Sequence, residues 1–164
     1  MKITKKVKKE KTLKPSNLFL GLILLFAACD DVRLHTFREV QNGWLATDTI
    51  EYKYINHYND TLHNICIQLR CTPTYPVREL WLQMELKTNN SYATDTICCE
   101  IFDSLGRQQG SSAGLLHQTS HISGTYNIQP GDTATITITH LMNSPVNGVS
   151  DIGIKVCGHG RHQF

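Results

Sequence analysis

From residue 48 onward apolar and polar side chains alternate one for one, the period of a strand with one buried face. Asp48 to Ile55 sets Ile50, Tyr52 and Tyr54 against Thr49, Glu51 and Lys53. His63 to Cys71 aligns Ile65, Ile67, Leu69 and Cys71 against Cys66, Gln68 and Arg70. Arg78 to Lys87 aligns Leu80, Leu82, Met84 and Leu86 against Trp81, Gln83, Glu85 and Lys87. Further strands are predicted at Thr94–Asp103, Gly124–Ile128, Thr133–Leu141 and Asp151–Cys157. Turn chemistry separates these runs, with Asn42-Gly43, Asn59-Asp60, Pro73 with Pro76, Asn89-Asn90, Ser123-Gly124, Pro130-Gly131 and Asn147-Gly148. Short strands with one apolar face and no helical period between them predict an all-β fold, an antiparallel β-sandwich of about seven or eight strands. Ser104 to Ser123, rich in Gly, Ser and Gln, is predicted to be a long loop with room for a helical turn, and Asp30 to Val40 an extended lead-in.

Ahead of this alternation lies a different pattern. A lysine-rich start, Met1 to Asn17, is followed by a mostly apolar run from Leu18 to Ala28 and then Cys29. Basic, apolar and small-residue segments in that order are the layout of a secretory signal. A helix over the apolar run reaches about 16 Å, against a hydrocarbon core of roughly 30 Å, so a spanning helix is not expected. Cysteine directly after two alanines resembles a bacterial lipobox, in which Cys29 is acylated and becomes the first residue; Phe26 stands where an aliphatic residue is usual. Several acyl chains hold a protein durably on a membrane. If Cys29 is only a thiol, the mature chain is instead soluble outside the inner membrane.

Removal of the leader changes the charge. The first 28 residues hold seven lysines and one glutamate, so a formal +2 becomes −4, nine basic against thirteen acidic side chains. The basic character belongs to the discarded piece, and nucleic acid is not an expected partner. The remaining length suits one domain with a real core. Five cysteines follow Cys29, and their spacing matches neither a zinc site nor a redox pair. Cys71 and Cys99 are predicted as small core residues, and Cys98 and Cys99, as strand neighbours, point to opposite faces. A Cys66–Cys98 bridge stays open.

No metal or cofactor is expected. His117 and His121 stand four apart and His159 and His162 sit in a Gly-rich tail, and all four read best as solvated loop histidines. Nucleophile elbow, phosphate loop and zinc-protease motifs do not occur. Glu51, Glu85 and Glu100 lie on strands, where pairing with a neighbouring side chain explains them without catalysis. An enzyme is therefore not predicted, nor a small-molecule substrate. Trp44, Trp81, Tyr75 and Tyr92 raise the alternative of a stacking platform for sugars. Trp81 is out of phase with Leu80, Leu82 and Met84, so it should face away from the core.

Asp followed by Ser or Thr and then an aliphatic residue or Ala occurs five times, placing Thr49, Thr61, Thr96, Ser104 and Thr133 in the pattern. It resembles the O-glycosylation signal of exported Bacteroidota proteins. The competing physical explanation is that Asp closes a turn and β-branched Thr opens a strand.

In order along the chain stand Cys29-Asp-Asp31, Val40-Gln-Asn-Gly-Trp44, Thr47-Asp-Thr-Ile-Glu-Tyr52, Ile65-Cys-Ile-Gln-Leu-Arg70, Tyr75-Pro76 and Leu80-Trp-Leu-Gln-Met-Glu-Leu86. Asp95-Thr-Ile97, Gly114-Leu115, Ser123-Gly-Thr-Tyr126 and Val149-Ser-Asp-Ile-Gly-Ile-Lys155 complete the series. It resembles the GldH family of gliding-motility lipoproteins of Bacteroidota, over residues 29–157. The resemblance implies a cell-envelope lipoprotein tied to the gliding machinery and, more loosely, to type IX secretion, with no catalytic residues and only the acylated Cys29 as a site. The expected organisation is a lipoprotein signal at 1–28, an acylated N-terminus and lead-in at 29–46, and a β-sandwich with a short tail at 47–164. The expected role is a membrane-anchored, non-catalytic accessory or scaffold on the periplasmic face or the cell surface. Its expected partners are the lipid bilayer, through Cys29, and other envelope or gliding-machinery proteins. Trp44, Tyr75, Pro76, Trp81 and the Ser104–Ser123 stretch are the candidate contacts. A surface lipoprotein that binds a glycan or an adhesion partner is the alternative.

Overall fold

The computed structural model describes residues 31–159; Cys29 and the tail beyond His159 lie outside the described residues. Nine strands follow one another: β1 (Val32–Glu39), β2 (Ile50–Ile55), β3 (Leu62–Cys71), β4 (Glu79–Lys87), β5 (Tyr92–Glu100), β6 (Ser111–Ala113), β7 (Leu116–Asn127), β8 (Thr133–His140) and β9 (Val149–Gly158). They form a five-stranded sheet in the order β1-β9-β3-β7-β6 and a four-stranded sheet in the order β2-β8-β4-β5. Every pairing is antiparallel. The expected all-β sandwich is the fold.

The period-two pattern explains the layers. Ile65, Ile67 and Leu69 of β3 and Ile152, Ile154 and Val156 of β9 join one buried cluster with Leu80, Leu82, Met84 and Leu86 of β4 and Ala134, Ile136 and Ile138 of β8. Each fully buried aliphatic side chain contributes roughly 1.5–3 kcal/mol relative to exposure, so this cluster is the main source of stability. The Tyr52 hydroxyl donates to the Ile152 carbonyl at 2.6 Å, joining β2 to β9 across the core. Burial raises the pKa of that phenol and keeps it a donor.

Two expectations are corrected. Residues 32–39 are more than an extended lead-in: they form β1, an edge strand paired with β9 from Val32 to Glu39. Much of Ser104–Ser123 is not a loop either, because β6 and the first half of β7 occupy it and no helical turn is present there. His117 and His121 accordingly sit half-buried on β7 rather than in a solvated loop. On a strand, residues four apart are separated by about 13 Å, so these two histidines are no ligand pair.

On the outward face of the five-stranded sheet, Phe37 lies against Gly153, its partner in register. A Cβ on Gly153 would stand 2.6 Å from the Phe37 ring, so glycine there makes room for the aromatic. The Arg70 guanidinium lies over the ring at 3.7 Å from its centroid. Cys66 also lies in an outward register of this sheet, whereas Cys98 is exposed on the outward face of the other, opposite Trp81. Both layers separate them, which removes the Cys66–Cys98 bridge. Cys71 and Cys99 are buried thiols, as expected, and burial pushes Cys71 up to about 12.

Candidate functional site

Concave surface gathers at the end of the sandwich where β1 finishes. A shallow cleft of 780 Å³ is lined there by residues 39–42, by Thr72, Thr74 and Pro76, and by residues 147–150. Two smaller hollows, of 320 and 390 Å³, adjoin it through Glu39 and extend to residues 48–51. The larger cleft mixes amides and hydroxyls with Val40, Pro76 and Val149, and Glu39 is its one ionisable side chain. Such a lining offers hydrogen bonds to a partner. Among the described residues, no three His, Cys, Asp or Glu side chains cluster to hold a metal ion.

The walls follow from turn chemistry and one indole. Val40 donates to the Ser150 carbonyl at 2.9 Å, extending the β1–β9 ladder past the strand. Trp44 and Val146 exchange backbone hydrogen bonds of 3.0 and 2.8 Å. The Trp44 indole N–H donates to the Asp48 carbonyl at 2.9 Å, and its ring meets His140 edge-on at 4.8 Å. His140 in turn places Nε2 3.0 Å from the Trp44 carbonyl and accepts the Met142 N–H on Nδ1 at 3.1 Å. Those two partners assign a neutral ring with its hydrogen on Nε2. Gly148, at φ +84°, closes the opposite wall, where a Cβ would meet Thr72 and the Tyr75 backbone at 3.1 Å.

The predicted contact residues divide here. Trp44 and Tyr75 are 2% and 3% exposed, members of the core and not contact residues. They shape the cleft from behind. Pro76 is exposed on its rim, and Trp81 faces outward as its phase predicted. Tyr92 is exposed too, but pairs with Lys87, six residues along β4 from Trp81. The aromatic platform is therefore not assembled. Glu100 pairs with Arg78 at 2.7 Å, Glu51 with Lys53 at 3.6 Å, and Glu85 accepts from Gln83 at 3.0 Å.

Of the five Asp-Ser/Thr hydroxyls, Thr49, Thr96 and Ser104 are exposed, while Thr61 and Thr133 are half-buried. The preceding aspartates all have structural roles. Asp48 accepts the Leu45 N–H, Asp60 pairs with Arg33, and Asp95 accepts the Tyr126 hydroxyl. Asp103 accepts the Leu105 and Arg107 N–H groups, which together with Arg107 hold its carboxyl below the usual range. Asp132 accepts from Asn89.

The opposite end of the sandwich holds a cluster that the sequence did not reveal. The Arg33 side chain, 4% exposed, donates to both Asp60 oxygens at 2.6 and 2.5 Å and to Asp31 at 2.8 Å. Its guanidinium lies 4.1 Å from the Tyr58 ring centroid and 3.4 Å from His63 Nδ1. Arg33 holds Asp60 below the usual carboxylate range, and burial together with Arg33 lowers His63. Behind it, Asn56 donates to the carbonyls of Asp60 and Ile128, both at 2.8 Å, tying two loops together. No periodicity marks Arg33, since it stands beside a bulge at the start of an edge strand.

Nine antiparallel strands in two stacked layers, hollowed at one end and charge-locked at the other, define an all-β sandwich module. The chain belongs to the GldH lipoprotein family, whose profile, described as GldH lipoprotein, matches residues 33–156, from β1 through β9. It is thus a gliding-motility-associated lipoprotein, and a membrane-anchored place in the cell envelope goes with that membership. No curated protein matches it in sequence. Among solved structures it is similar to the EclA C-terminal domain, described as a sugar-binding protein, at 8% identity and a TM-score of 0.33, over 80% of this chain and 82% of that one. It is also similar to dimeric latent PorU from Porphyromonas gingivalis, at 11% identity and a TM-score of 0.30, over 80% of this chain and 13% of that one. Likenesses so distant carry no functional argument.

Proposed function

We propose that the protein is a non-catalytic accessory or scaffold of the gliding and type IX secretion machinery. In this reading acylated Cys29 holds it on a membrane, and the cleft end receives an envelope protein. The observation that carries the reading is family membership across the whole sandwich. The cleft agrees with it: a wide, shallow surface of amides, hydroxyls and Pro76 suits a polypeptide partner better than an enclosed substrate. The apolar tips Leu105 and Leu115, both more than 70% exposed, stand at the same end of the sandwich.

The test is a Cys29→Ala variant followed through membrane fractionation and co-purification. The scaffold reading expects the parent in the membrane fraction with envelope proteins attached, and the variant without its acyl anchor and depleted of those partners. A parent that carries no acyl group, or that brings down no envelope protein, would overturn it.

A further inference from the structure

Only Asp30 and Asp31 separate Cys29 from the first residue of β1. Three residues of extended chain reach about 10 Å, so an acylated Cys29 keeps the Arg33 end of the sandwich within that distance of the bilayer. β1 and β3 both start at this end and lead toward the cleft end. Ten residues of β3, at roughly 3.3 Å each, separate the two ends by about 30 Å.

The near end exposes several large apolar and tyrosine side chains. Val32, Ile55, Tyr58, Leu62 and Tyr92 are between 40 and 63% exposed, and all five stand on strand ends or the loop at this pole. On the four-stranded sheet, Lys53, Thr135, Lys87 and Tyr92 lie across the outward face in one register, a single step above Ile55. The carboxylates here are engaged, Asp31 and Asp60 by Arg33 and Asp132 by Asn89, while Glu51 makes a 3.6 Å surface pair with Lys53 that leaves the lysine 68% exposed. Val32, Ile55, Tyr58 and Leu62 at the rim, with Tyr92 and two lysines one level above, are the composition of a surface that rests in a headgroup layer.

We propose that this end is a bilayer-docking face. Val32, Ile55, Tyr58, Leu62 and Tyr92 seat in the boundary between headgroups and acyl chains, and Lys53 and Lys87 meet the lipid phosphates. The sandwich thus lies flush on the membrane with its cleft directed away, instead of swinging on a stalk. The inference rests on the lipoprotein reading of Cys29.

The test uses the full-length lipoprotein in vesicles of phosphatidylethanolamine with a minor share of phosphatidylglycerol, read by backbone hydrogen exchange and by the mass of the N-terminal peptide. A second form carries a flexible glycine-serine insert of about 20 residues between Asp30 and Asp31, which keeps the anchor but removes the enforced proximity. The docking face predicts that the insert form still protects residues 56–62 and 88–92. Leu62→Ser with Tyr92→Ser, which leaves Tyr58 beneath Arg33, should speed exchange there roughly tenfold in the insert form, the scale set by withdrawing a large apolar side chain from lipid. An acylated N-terminus with no protection in the insert form would overturn docking and leave the lipoprotein reading standing. A parent without acylation would overturn both.

Discussion

At the end where β1 begins, a guanidinium is gripped by two carboxylates and covered by a tyrosine ring, while apolar side chains are left outside. At the end where β1 finishes, an indole and a phenol are drawn into the core and the rim is left to amides and hydroxyls. Both ends must close loops over the same two layers and satisfy their backbone groups. The near end does so with ionised and amide side chains reaching across loops, Arg33 to Asp60 and Asn56 to Ile128. The far end does so with backbone pairs flanking one large ring, Trp44. The lesson is that the same two layers are closed by different means, with an ion cluster and a bridging amide at one pole and backbone pairs around a buried indole at the other.

Removing the indole should damage the fold most. Trp44→Ala takes away the far end's filler and its bond to Asp48, at about 3–5 kcal/mol in urea denaturation. Next comes the near end: Arg33→Met leaves Asp31 and Asp60 without their cation, at about 2–4 kcal/mol, kept below a fully buried pair because both carboxylates are half exposed. If Arg33→Met were neutral, the ion cluster would be decoration and the contrast between the poles would collapse.

Acid should erode stability in two stages. Folding lowers His63 and His121 below their ordinary 6.5, so the unfolded chain binds protons first as pH falls. Stability is complete above about 6.5 and declines as pH drops through that value toward the lowered folded ones. Asp60 and Asp103, held below their ordinary 3.8, keep their contribution above that value and lose it as pH falls through their folded values. Urea midpoints at pH 7 and pH 5.5 should differ, and His63→Asn should shrink the difference. The smallest effect on folding belongs to the tips. Leu105→Ser with Leu115→Ser should shift stability by less than about 0.5 kcal/mol, yet reduce recovery of envelope partners in co-purification.

Strands with one apolar face were legible in the sequence, and β2, β3, β4, β8 and β9 fall within two residues of where alternation puts them. The rest was hidden for physical reasons. β1 is an edge strand whose inward positions include Thr36 and Arg38 and whose largest aromatic, Phe37, points outward onto Gly153, so its pattern is inverted. The first half of β7 carries His117, Thr119 and His121 in register with apolar positions of β3, so no apolar period announced it. Trp81 was placed correctly by phase alone. Trp44 and Tyr75 could not be, because they belong to turns, where side-chain direction has no period. The Arg33 cluster joins residues 27 apart through a bulge and a loop, a contact that spacing does not encode.

The early start of β1 has a mechanical consequence. A pull between an anchor at Cys29 and a load held at the cleft end runs along the axis of β1, from Val32 toward Glu39. The hydrogen bonds joining β1 to β9 lie across that axis, so tension meets them side by side, in shear, instead of peeling them apart one after another. Phe37, against Gly153 of β9 and in contact with Arg70 of β3, adds side-chain packing across the same strands. Tension in that direction would load the whole β1–β9 ladder at once.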